Sequence, residues 1–378
     1  MDSETLASRI REAIRASGMS QQALAETVGM DPTALSKVLS GRRRLSSLEL
    51  GLIADVTCVP VDELLSPRGR GGRNFAARTQ PDETPAVDEA RLRLNDFLET
   101  DALLCDLGLP APPGPLPLSL IGGGFLRQAS DLAVRVRELA GRGDSYIDEL
   151  AGFCEQSLGV DVAVENLPRG LDGLSIASGG YRIALVSSAI PATRQRYTLA
   201  HEIAHLAAGD TEGVVIDEDL FGRSSEKEKR ANSFAAAFLM PESSLRKALG
   251  TSGPTEALVG EMLVRYKVSL DALAWRLFNV KLVDAAGRER VRQLSAPKLV
   301  LLAGHAAEYQ RQLQDHGLRR LPTGLVQRAL DAFNRGDVGV RVLSRLTKIP
   351  AELLTEQLSP LPPVPDSDGR EPDPVPVL

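Results

Sequence analysis

The chain has 378 residues, of which 43% are hydrophobic and 25% are charged, a composition that allows two or three soluble globular domains. No apolar run is long enough to span a bilayer, the N-terminus is unlike a signal peptide, and the three cysteines form no C-x-x-C pair, so we expect a cytoplasmic protein without membrane contact or a disulfide framework. Because the net charge is -6, any affinity for nucleic acid must come from local basic patches.

Residues 1–66 show the cap pattern of a small all-α domain. Ser20 is a natural N-cap, Gly29 ends the helix that follows, and the Asp-Pro pair at 31–32 combines an N-cap with proline in the first helical position. Gly41 ends this third helix, a fourth helix is expected at 48–56, and a short fifth helix is expected to begin at 61–65. The spacing predicts a helix-turn-helix.

The stretch from Ser20 to Leu65 resembles the lambda-repressor-like, or XRE-type, family of DNA-binding domains, and the match covers nearly all of residues 5–65. The resemblance implies that the second helix crosses the backbone of a double-stranded DNA operator and that the third enters its major groove. It assigns phosphate contacts to Gln21, Arg42, Arg43 and Arg44, and base-edge contacts to Thr33, Ala34, Ser36 and Lys37. The alternative is a helical bundle for protein contact, because acidic residues of the domain roughly balance its basic ones.

Residues 67–118 are expected to separate two domains. Their first part is rich in Arg, Gly and Pro and has no periodic apolar face, which is typical of a flexible linker. Residues 87–107 have the apolar spacing of an amphipathic helix. The run PAPPGPLPL at 110–118 ends that helix, and we expect it to stay extended and outside any core.

After two helices, three short strands are expected at 160–165, 174–177 and 181–186, with a Ser-Gly-Gly hairpin at 178–180. A helix is expected from about residue 192 onward. A small antiparallel sheet that lies against a helix with the pattern H-E-x-x-H is typical of zinc peptidases, because an edge strand above the metal can pair with an extended substrate.

This helix contains the pattern H-E-x-x-H, as His201, Glu202 and His205. Side chains four residues apart share a helix face, so both imidazoles can reach one metal ion while Glu202 faces the same cleft as a candidate general base. A catalytic Zn²⁺ also needs a third protein ligand and an open position for water, and Mn²⁺ or another divalent ion can use the same ligands. The alternative is a surface helix that carries two histidines by chance.

The third ligand is expected from the helix that ends before Pro241. Glu228 is the preferred candidate, because it can share a face with Asn232 and because the alanines at 235–237 allow close packing on the H-E-x-x-H helix. Glu226 is the competing carboxylate, although it lies on a different face.

Four other polar residues have weaker claims to a role. Asp210 is a candidate to orient a metal-bound histidine through its second ring nitrogen, but a helix-end role is the simpler interpretation. Tyr197 and His305 are candidates for a second oxyanion donor by residue type alone. For His305 and His316, a structural role on a partly exposed surface is the simpler interpretation.

Three linked blocks, at 178–186, 196–205 and 228–241, are similar in order and spacing to the ImmA/IrrE family of zinc metallopeptidases. The resemblance implies a gluzincin-like site with His201, His205 and Glu228 on zinc and Glu202 as the base. Members of that family cleave lambda-repressor-like repressors in stress responses and mobile elements, and many carry such a DNA-binding domain. One departure is visible, because the position before Ala231 is often acidic in the family and is Arg230 here.

Residues 292–358 are expected to be helical at 299–316, 323–335, 340–346 and 350–358, in a packing or dimerising role. The predicted fold is mainly α with a small antiparallel β-sheet. Its expected parts are a helix-turn-helix domain (1–66), a linker with one helix (67–118), an α+β gluzincin-like zinc peptidase domain (119–291), a C-terminal helical region (292–358) and a disordered tail (359–378).

The leading hypothesis is a transcriptional regulator that binds DNA and uses zinc-dependent endopeptidase activity to cleave a repressor or antitoxin-like partner, or itself, in a stress or mobile-element response. A homodimer is compatible with both parts. One alternative is a transcription factor whose peptidase-like domain senses a ligand or metal without cleaving. Another is a toxin–antitoxin fusion, which predicts that residues 119–378 alone are more active than the whole chain.

Overall fold

The structure is a computed structural model. It describes residues 3–16, 19–43, 45–57, 64, 85–210, 215–216, 225–250, 253–314 and 317–358. The chain divides into two compact units, residues 1–80 and 81–378, each with its own buried apolar core. Over the described ranges, no helix has both the length and the apolar character that a membrane crossing requires.

The first unit is all-α, as expected. Its helices in the described ranges are α1 (Ser3–Ala16), α2 (Gln21–Thr27), α3 (Pro32–Leu39) and α4 (Ser47–Thr57). Ser20 caps α2 by accepting from the N–H of Ala23, and Asp31 caps α3 through the N–H groups of Thr33 and Ala34. The core between the helices includes Ile10, Leu24, Leu35 and Ile53. The fifth helix, expected at 61–65, lies outside the described residues except for Leu64.

The second unit begins with helices that lead into a sheet. These elements are α5 (Pro85–Asp106), α6 (Phe125–Leu139), α7 (Leu150–Phe153) with a π-helical turn (Cys154–Leu158), and strands β1 (Asp161–Glu165), β2 (Gly173–Ser178) and β3 (Tyr181–Ser187). Next come α8 (Ala192–Ala208), the short strand β4 (Val215–Ile216) and α9 (Glu226–Leu239).

Short helices complete the second unit. They are α10 (Glu242–Leu249), α11 (Glu256–Tyr266), α12 (Leu270–Asn279), α13 (Ala285–Arg292), α14 (Ala296–Leu302), α15 (Ala306–Gln314), α16 (Thr323–Asn334), α17 (Val340–Thr347) and α18 (Ala351–Leu358). The single helix predicted at 299–316 is therefore wrong. Gly304 has a φ of +79°, a left-handed conformation that ends α14 and separates it from α15. The expected tail at 359–378 lies outside the described residues.

The sheet is mixed rather than antiparallel, which corrects the expected strand direction. Its strand order is β1-β3-β2-β4, with β1 parallel to β3 and the other pairs antiparallel. The predicted hairpin between β2 and β3 is present, with Gly179 and Gly180 both at positive φ. The chain passes from β1 to β2 and leaves room for β3 between them. Strand β3 then pairs with β2 on one edge in the antiparallel direction and with β1 on its other edge in the parallel direction.

The two faces of the sheet pack against different layers. Along β3, Ala184 and Val186 lie in the core shared with α8 and α9, whereas Ile183 and Leu185 lie in a second core with α5, α16 and α17. Alternate side chains of a strand point to opposite faces, so one short strand supports both layers. The candidate metal helix α8 therefore packs on one face of a sheet whose other face is covered by α5, α16 and α17.

Helix α5 and the proline-rich run at 110–118 both pack within the second unit. The prediction that this run stays outside any core is therefore wrong. Leu116 is buried in the same core as α8, and the Leu118 N–H donates to the carbonyl of Ala207 at 2.8 Å. Proline removes only its own N–H donor, so the leucines between prolines remain able to bury and to hydrogen-bond. Since α5 covers the sheet with Phe97 and Leu104, a fragment beginning at residue 119 would expose that core.

Two buried arginines hold the C-terminal end of α9. Arg137 donates to the carbonyl of Phe238 at 2.5 Å, and Arg276 donates to the carbonyl of Met240 at 3.0 Å. Cations near the last carbonyls of a helix satisfy orphan acceptors and complement its dipole. This anchoring fixes the position of α9, whose other end carries Glu228.

Candidate functional site

Helices α8 and α9 bring His201, His205 and Glu228 together. The two histidines are 5% and 1% exposed, and their Nε2 atoms lie 3.1 Å apart on the buried face of α8. Glu228, on the first turn of α9, places Oε2 3.0 Å from Nε2 of His201 and Oε1 3.3 Å from Nε2 of His205. One ligand atom from each residue can be chosen such that all three lie within 4.8 Å of one another.

The chemistry of this donor set fits a divalent metal ion. Two imidazoles and one carboxylate are a known ligand set of catalytic zinc, and tetrahedral ligand atoms at about 2.0–2.1 Å from zinc lie about 3.3 Å from each other. The observed separations of 3.0 to 3.3 Å match this spacing. Glu228 Oε2 is also buried, and it lies 3.0 Å from Nε2 of His201, so a cation between these two atoms would compensate the buried carboxylate.

The second ring nitrogens of the histidines face acceptors. Nδ1 of His201 lies 3.1 Å from Oδ1 of Asn232, and Nδ1 of His205 lies 3.5 Å from Oδ2 of Asp210. When each Nδ1–H donates to these oxygens, each Nε2 lone pair is directed toward the cluster. Gly209, with a φ of +69°, ends α8 and turns the chain so that Asp210 lies beside His205. Asp210 therefore follows the end of α8 directly and also faces Nδ1 of His205, and both interpretations stay predictions.

The electrostatics of the cluster favour a cation. Burial lowers the pKa of His205, but hydrogen bonds to Asp210 and Glu228 outweigh it and raise the pKa to about 9. Burial also lowers the pKa of His201, but the hydrogen bond to Glu228 and the charge of Glu202 outweigh this effect and raise the pKa. Although burial alone would raise the pKa of Glu228, hydrogen bonds to the two histidines hold it well below its usual range. The surrounding carboxylates thus stabilise positive charge at the point where the ligand atoms meet.

Glu202 is held between α8 and strand β2. The residue is 2% exposed, and the hydroxyl of Ser175 on β2 donates to its Oε2 at 2.7 Å. Ser175 was not among the site residues predicted from the sequence. The available signal was a hydroxyl between Leu174 and Ile176 in a strand otherwise made of small and apolar residues. A polar side chain at such a buried position needs a partner, and that partner is Glu202.

Gly173 allows β2 and α8 to approach closely beside Glu202. A Cβ at this position would lie 2.5 Å from Cγ2 of Thr198, 3.1 Å from the carbonyl oxygen of Leu185 and 3.4 Å from Oε1 of Glu202. An added methyl group therefore requires Thr198, or the helix that carries it, to shift away from the strand. The glycine sets the distance between Glu202 and the sheet.

Replacing Gly173 with Ala is expected to lower the free energy of unfolding by about 1–3 kcal/mol, the usual cost of overpacking a dense core. Chemical denaturation of the full chain measures this change. Gly122→Ala is the matched control, because a Cβ there meets nothing within 4 Å. Equal stability of the two variants would show that β2 and α8 are not in tight contact.

The other site residues considered from the sequence either make different contacts or lie away from the ligand cluster. The hydroxyl of Tyr197 donates to the carbonyl of Asn232 at 2.8 Å, which links α8 to α9, and burial raises its pKa to about 12. The side chain of Glu226 is 71% exposed beside Lys229. His305 is half-exposed, with Nδ1 3.5 Å from Glu308. His316 lies outside the described residues.

On the helix-turn-helix unit, most of the residues assigned to DNA are exposed. The exposed ones are Gln21, Thr33, Ser36, Lys37 and Arg42. Ala34 is partly buried against the core, and Arg43 pairs with Glu49 at 2.8 Å. The Thr33 hydroxyl donates to the capping carboxylate of Asp31. Arg44 lies outside the described residues.

Each of the two units contains a range that matches a known protein family. Residues 155–278 match the family described as IrrE N-terminal-like domain, and residues 10–64 match the family described as Helix-turn-helix. The Radiation response metalloprotease IrrE of Deinococcus radiodurans is 34% identical over 153 residues, which are 38% of this chain and 44% of that protein. The protein of the same name from Deinococcus deserti is 32% identical over 127 residues, which are 30% of this chain and 45% of that protein.

The chain thus spans less than half the length of these curated relatives. The matched ranges include the residues that carry both resemblances seen in the sequence, and the resemblances are confirmed at the level of domains. By these matches, residues 10–64 resemble helix-turn-helix domains, and residues 155–278 resemble the IrrE N-terminal-like domain of metalloproteases named IrrE.

Proposed function

We propose that this chain is a transcriptional regulator that binds a double-stranded DNA operator and hydrolyses a peptide bond in a repressor or antitoxin-like protein, or in itself. The observation that carries the proposal is the proximity of the His201–His205–Glu228 cluster to the buried carboxylate of Glu202. A role in a stress response is proposed because the two relatives are named for a radiation response.

His201, His205 and Glu228 would hold the metal ion, with Zn²⁺ proposed and Mn²⁺ or another divalent ion as the alternative. When bound, such an ion supplies Lewis-acid chemistry for amide hydrolysis. Asn232 and Asp210 keep the Nε2 atoms of the histidines directed toward it. The ligands come from two helices anchored on one sheet, so their separation is set by the core of the unit.

Glu202 moves the proton. In hydrolysis the oxygen of a water molecule bonds to the peptide carbon while the C–N bond breaks, and one proton passes from the water to the leaving nitrogen. The carboxylate of Glu202 accepts that proton and then donates it to the amine. Ser175 fixes the orientation of the carboxylate through Oε2, so the base does not have to reorganise during the transfer.

The direct test is to incubate the full chain and Zn²⁺ with candidate lambda-repressor-like proteins and to identify fragments by mass spectrometry. We expect one substrate to give two fragments from a single peptide bond, and a chelator to stop the reaction. Self-cleavage would give fragments of the regulator itself without any partner. The absence of fragments from every candidate and from the chain itself would contradict the proposed peptidase activity.

A second candidate function is a transcription factor that senses metal without cleaving. The observation that favours it is the deep burial of His205 and Glu202, which leaves little of either side chain accessible. A sensor requires the three ligands but not a base. Metal-dependent DNA binding that is unchanged in a Glu202→Gln variant, with no cleavage by the parent, would favour this function.

For DNA binding, we propose that exposed Arg42 contacts a phosphate. Replacing Arg42 with Ala is expected to weaken binding to different DNA sequences about equally and to reduce the slope of log K against log salt concentration by about 1. Fluorescence anisotropy with duplex DNA between about 50 and 200 mM salt measures both quantities.

The matched control is Arg15→Ala, since Arg15 is an exposed arginine of α1 without an assigned DNA contact. The control removes the same charge from the same unit. If both variants change the slope equally, the effect reflects the charge of the unit as a whole, and the phosphate contact of Arg42 is wrong.

A further inference from the structure

Asp210 is a nearly buried carboxylate that faces cations on two helices. Its side chain is 8% exposed, and its Oδ2 lies 3.5 Å from Nδ1 of His205 on α8 and 2.5 Å from Nη2 of Arg230 on α9. The exposed Lys227 is 3.7 Å from the other carboxylate oxygen. One carboxylate thus joins a candidate metal ligand to a buried guanidinium.

Arg230 is fixed on two sides. Its side chain is 9% exposed, and its Nη1 donates to Oε1 of Gln128 on α6 at 3.3 Å while Nη2 donates to Asp210. Arg230 is also two residues from Glu228 on the same helix. Helix α9 therefore supplies both a candidate ligand and the residue that restrains the carboxylate behind another ligand.

We propose that Asp210 and Arg230 are positioning residues for His205. Asp210 faces Nδ1 of His205 at 3.5 Å and favours the tautomer with its proton on that nitrogen, so the Nε2 lone pair is directed toward His201 and Glu228, and Arg230 prevents the carboxylate from rotating away. The ion pair is neutral as a whole, so it orients the ring without adding net charge beside Glu228. This inference rests on the metal-binding part of the proposed function and not on cleavage.

A purely structural explanation predicts a different outcome. Breaking a buried ion pair costs stability because it leaves one charge uncompensated, whatever the pair does for a neighbouring ligand. If the pair only joins α8 to α9, its removal lowers stability and leaves metal affinity unchanged. If it positions His205, metal affinity falls as well, and Arg230 acts only while Asp210 is present.

The test is a double-mutant cycle on Zn²⁺ affinity, measured with the full chain by competition against a chromogenic chelator. Asp210→Ala is expected to weaken affinity about 10- to 100-fold, as for other groups that support a metal-bound histidine. Arg230→Met is expected to weaken it in the same direction by a smaller factor. In the Asp210→Ala background, Arg230→Met should change affinity by less than about twofold, the usual error of additivity.

Two conservative variants protect the test against misfolding. Asp210→Asn keeps the size of the side chain and removes its charge, and Arg230→Lys keeps the cation. We expect Asp210→Asn to bind Zn²⁺ more weakly than the parent and Arg230→Lys to bind it more tightly than Arg230→Met. The thermal midpoint of each metal-free variant reports its folding separately.

The matched control is another buried ion pair of the same unit. Arg328 Nη1 lies 2.8 Å from Asp101 Oδ1, between α16 and α5, and neither residue belongs to the ligand cluster. Asp101→Ala and Arg328→Met are expected to lower stability without changing Zn²⁺ affinity.

The inference is overturned if Asp210→Ala and Asp210→Asn leave Zn²⁺ affinity unchanged, or if Arg230→Met weakens it equally with and without Asp210. A parent chain that binds no Zn²⁺ would overturn both this inference and the proposed metal site. Zn²⁺ binding that follows the cycle, but without cleavage of any substrate, would support the positioning role and contradict only the peptidase.

Discussion

Replacing Glu202 with Gln is expected to slow cleavage of a substrate about 10²- to 10⁴-fold, the usual contribution of a general base. An amide has nearly the same shape as a carboxylate, and its oxygen still accepts the hydrogen bond from Ser175. It does not accept the proton of the attacking water. Because the three ligands are unchanged, we expect the Zn²⁺ content and DNA binding to stay at the parental level.

The rate of substrate loss, followed by mass spectrometry at saturating Zn²⁺, measures the effect. Glu138→Gln is the matched control, because it makes the same isosteric change at an exposed position of α6. Cleavage by Glu202→Gln at the parental rate would exclude Glu202 as the base. Loss of Zn²⁺ together with activity would instead show that Glu202 supports the metal site.

The second large effect is expected at Glu228. Replacing it with Gln removes the anionic ligand, and Zn²⁺ affinity should fall by more than about 100-fold, beyond the loss typical of groups that only support a ligand. The carboxylate is within 3.3 Å of both histidine Nε2 atoms, so one substitution alters contacts to the whole cluster. Cleavage at limiting Zn²⁺ should fall in parallel.

Metal analysis after dialysis, together with chelator competition, checks this prediction. Glu226→Gln is the control, since Glu226 starts the same helix but points to solvent beside Lys229. We expect it to retain parental Zn²⁺ affinity. If the Glu226 variant loses metal and the Glu228 variant keeps it, the competing carboxylate is the ligand and the proposed site is wrong.

Features that depend on neighbouring residues were predictable from the sequence. The caps at Ser20 and Asp31 are local hydrogen bonds, and the structure has both. The shared face of His201 and His205 follows from the pitch of one helix. The choice of Glu228 over Glu226 is an exception, because it depends on a second helix that packs on α8 through small residues, and α9 does bring Glu228 to the histidines.

Features that depend on distant partners were not predictable. The parallel direction of β1 depends on where the chain crosses the sheet, which local turn signals do not report. The burial of Leu116 depends on a groove formed by α8 and its neighbours. The proline-rich composition indicated an exposed tether because it carries no information about that groove.

The site shows the same division. By itself the sequence determined the metal-ligand pattern on α8 and the candidate base Glu202, because helix pitch places these residues without help from the rest of the chain. Only the tertiary structure decided that Ser175 holds Glu202 and that Arg230 holds Asp210 behind His205. The physical reason is that a buried polar group is satisfied by whichever group the packing of distant elements brings within hydrogen-bond distance.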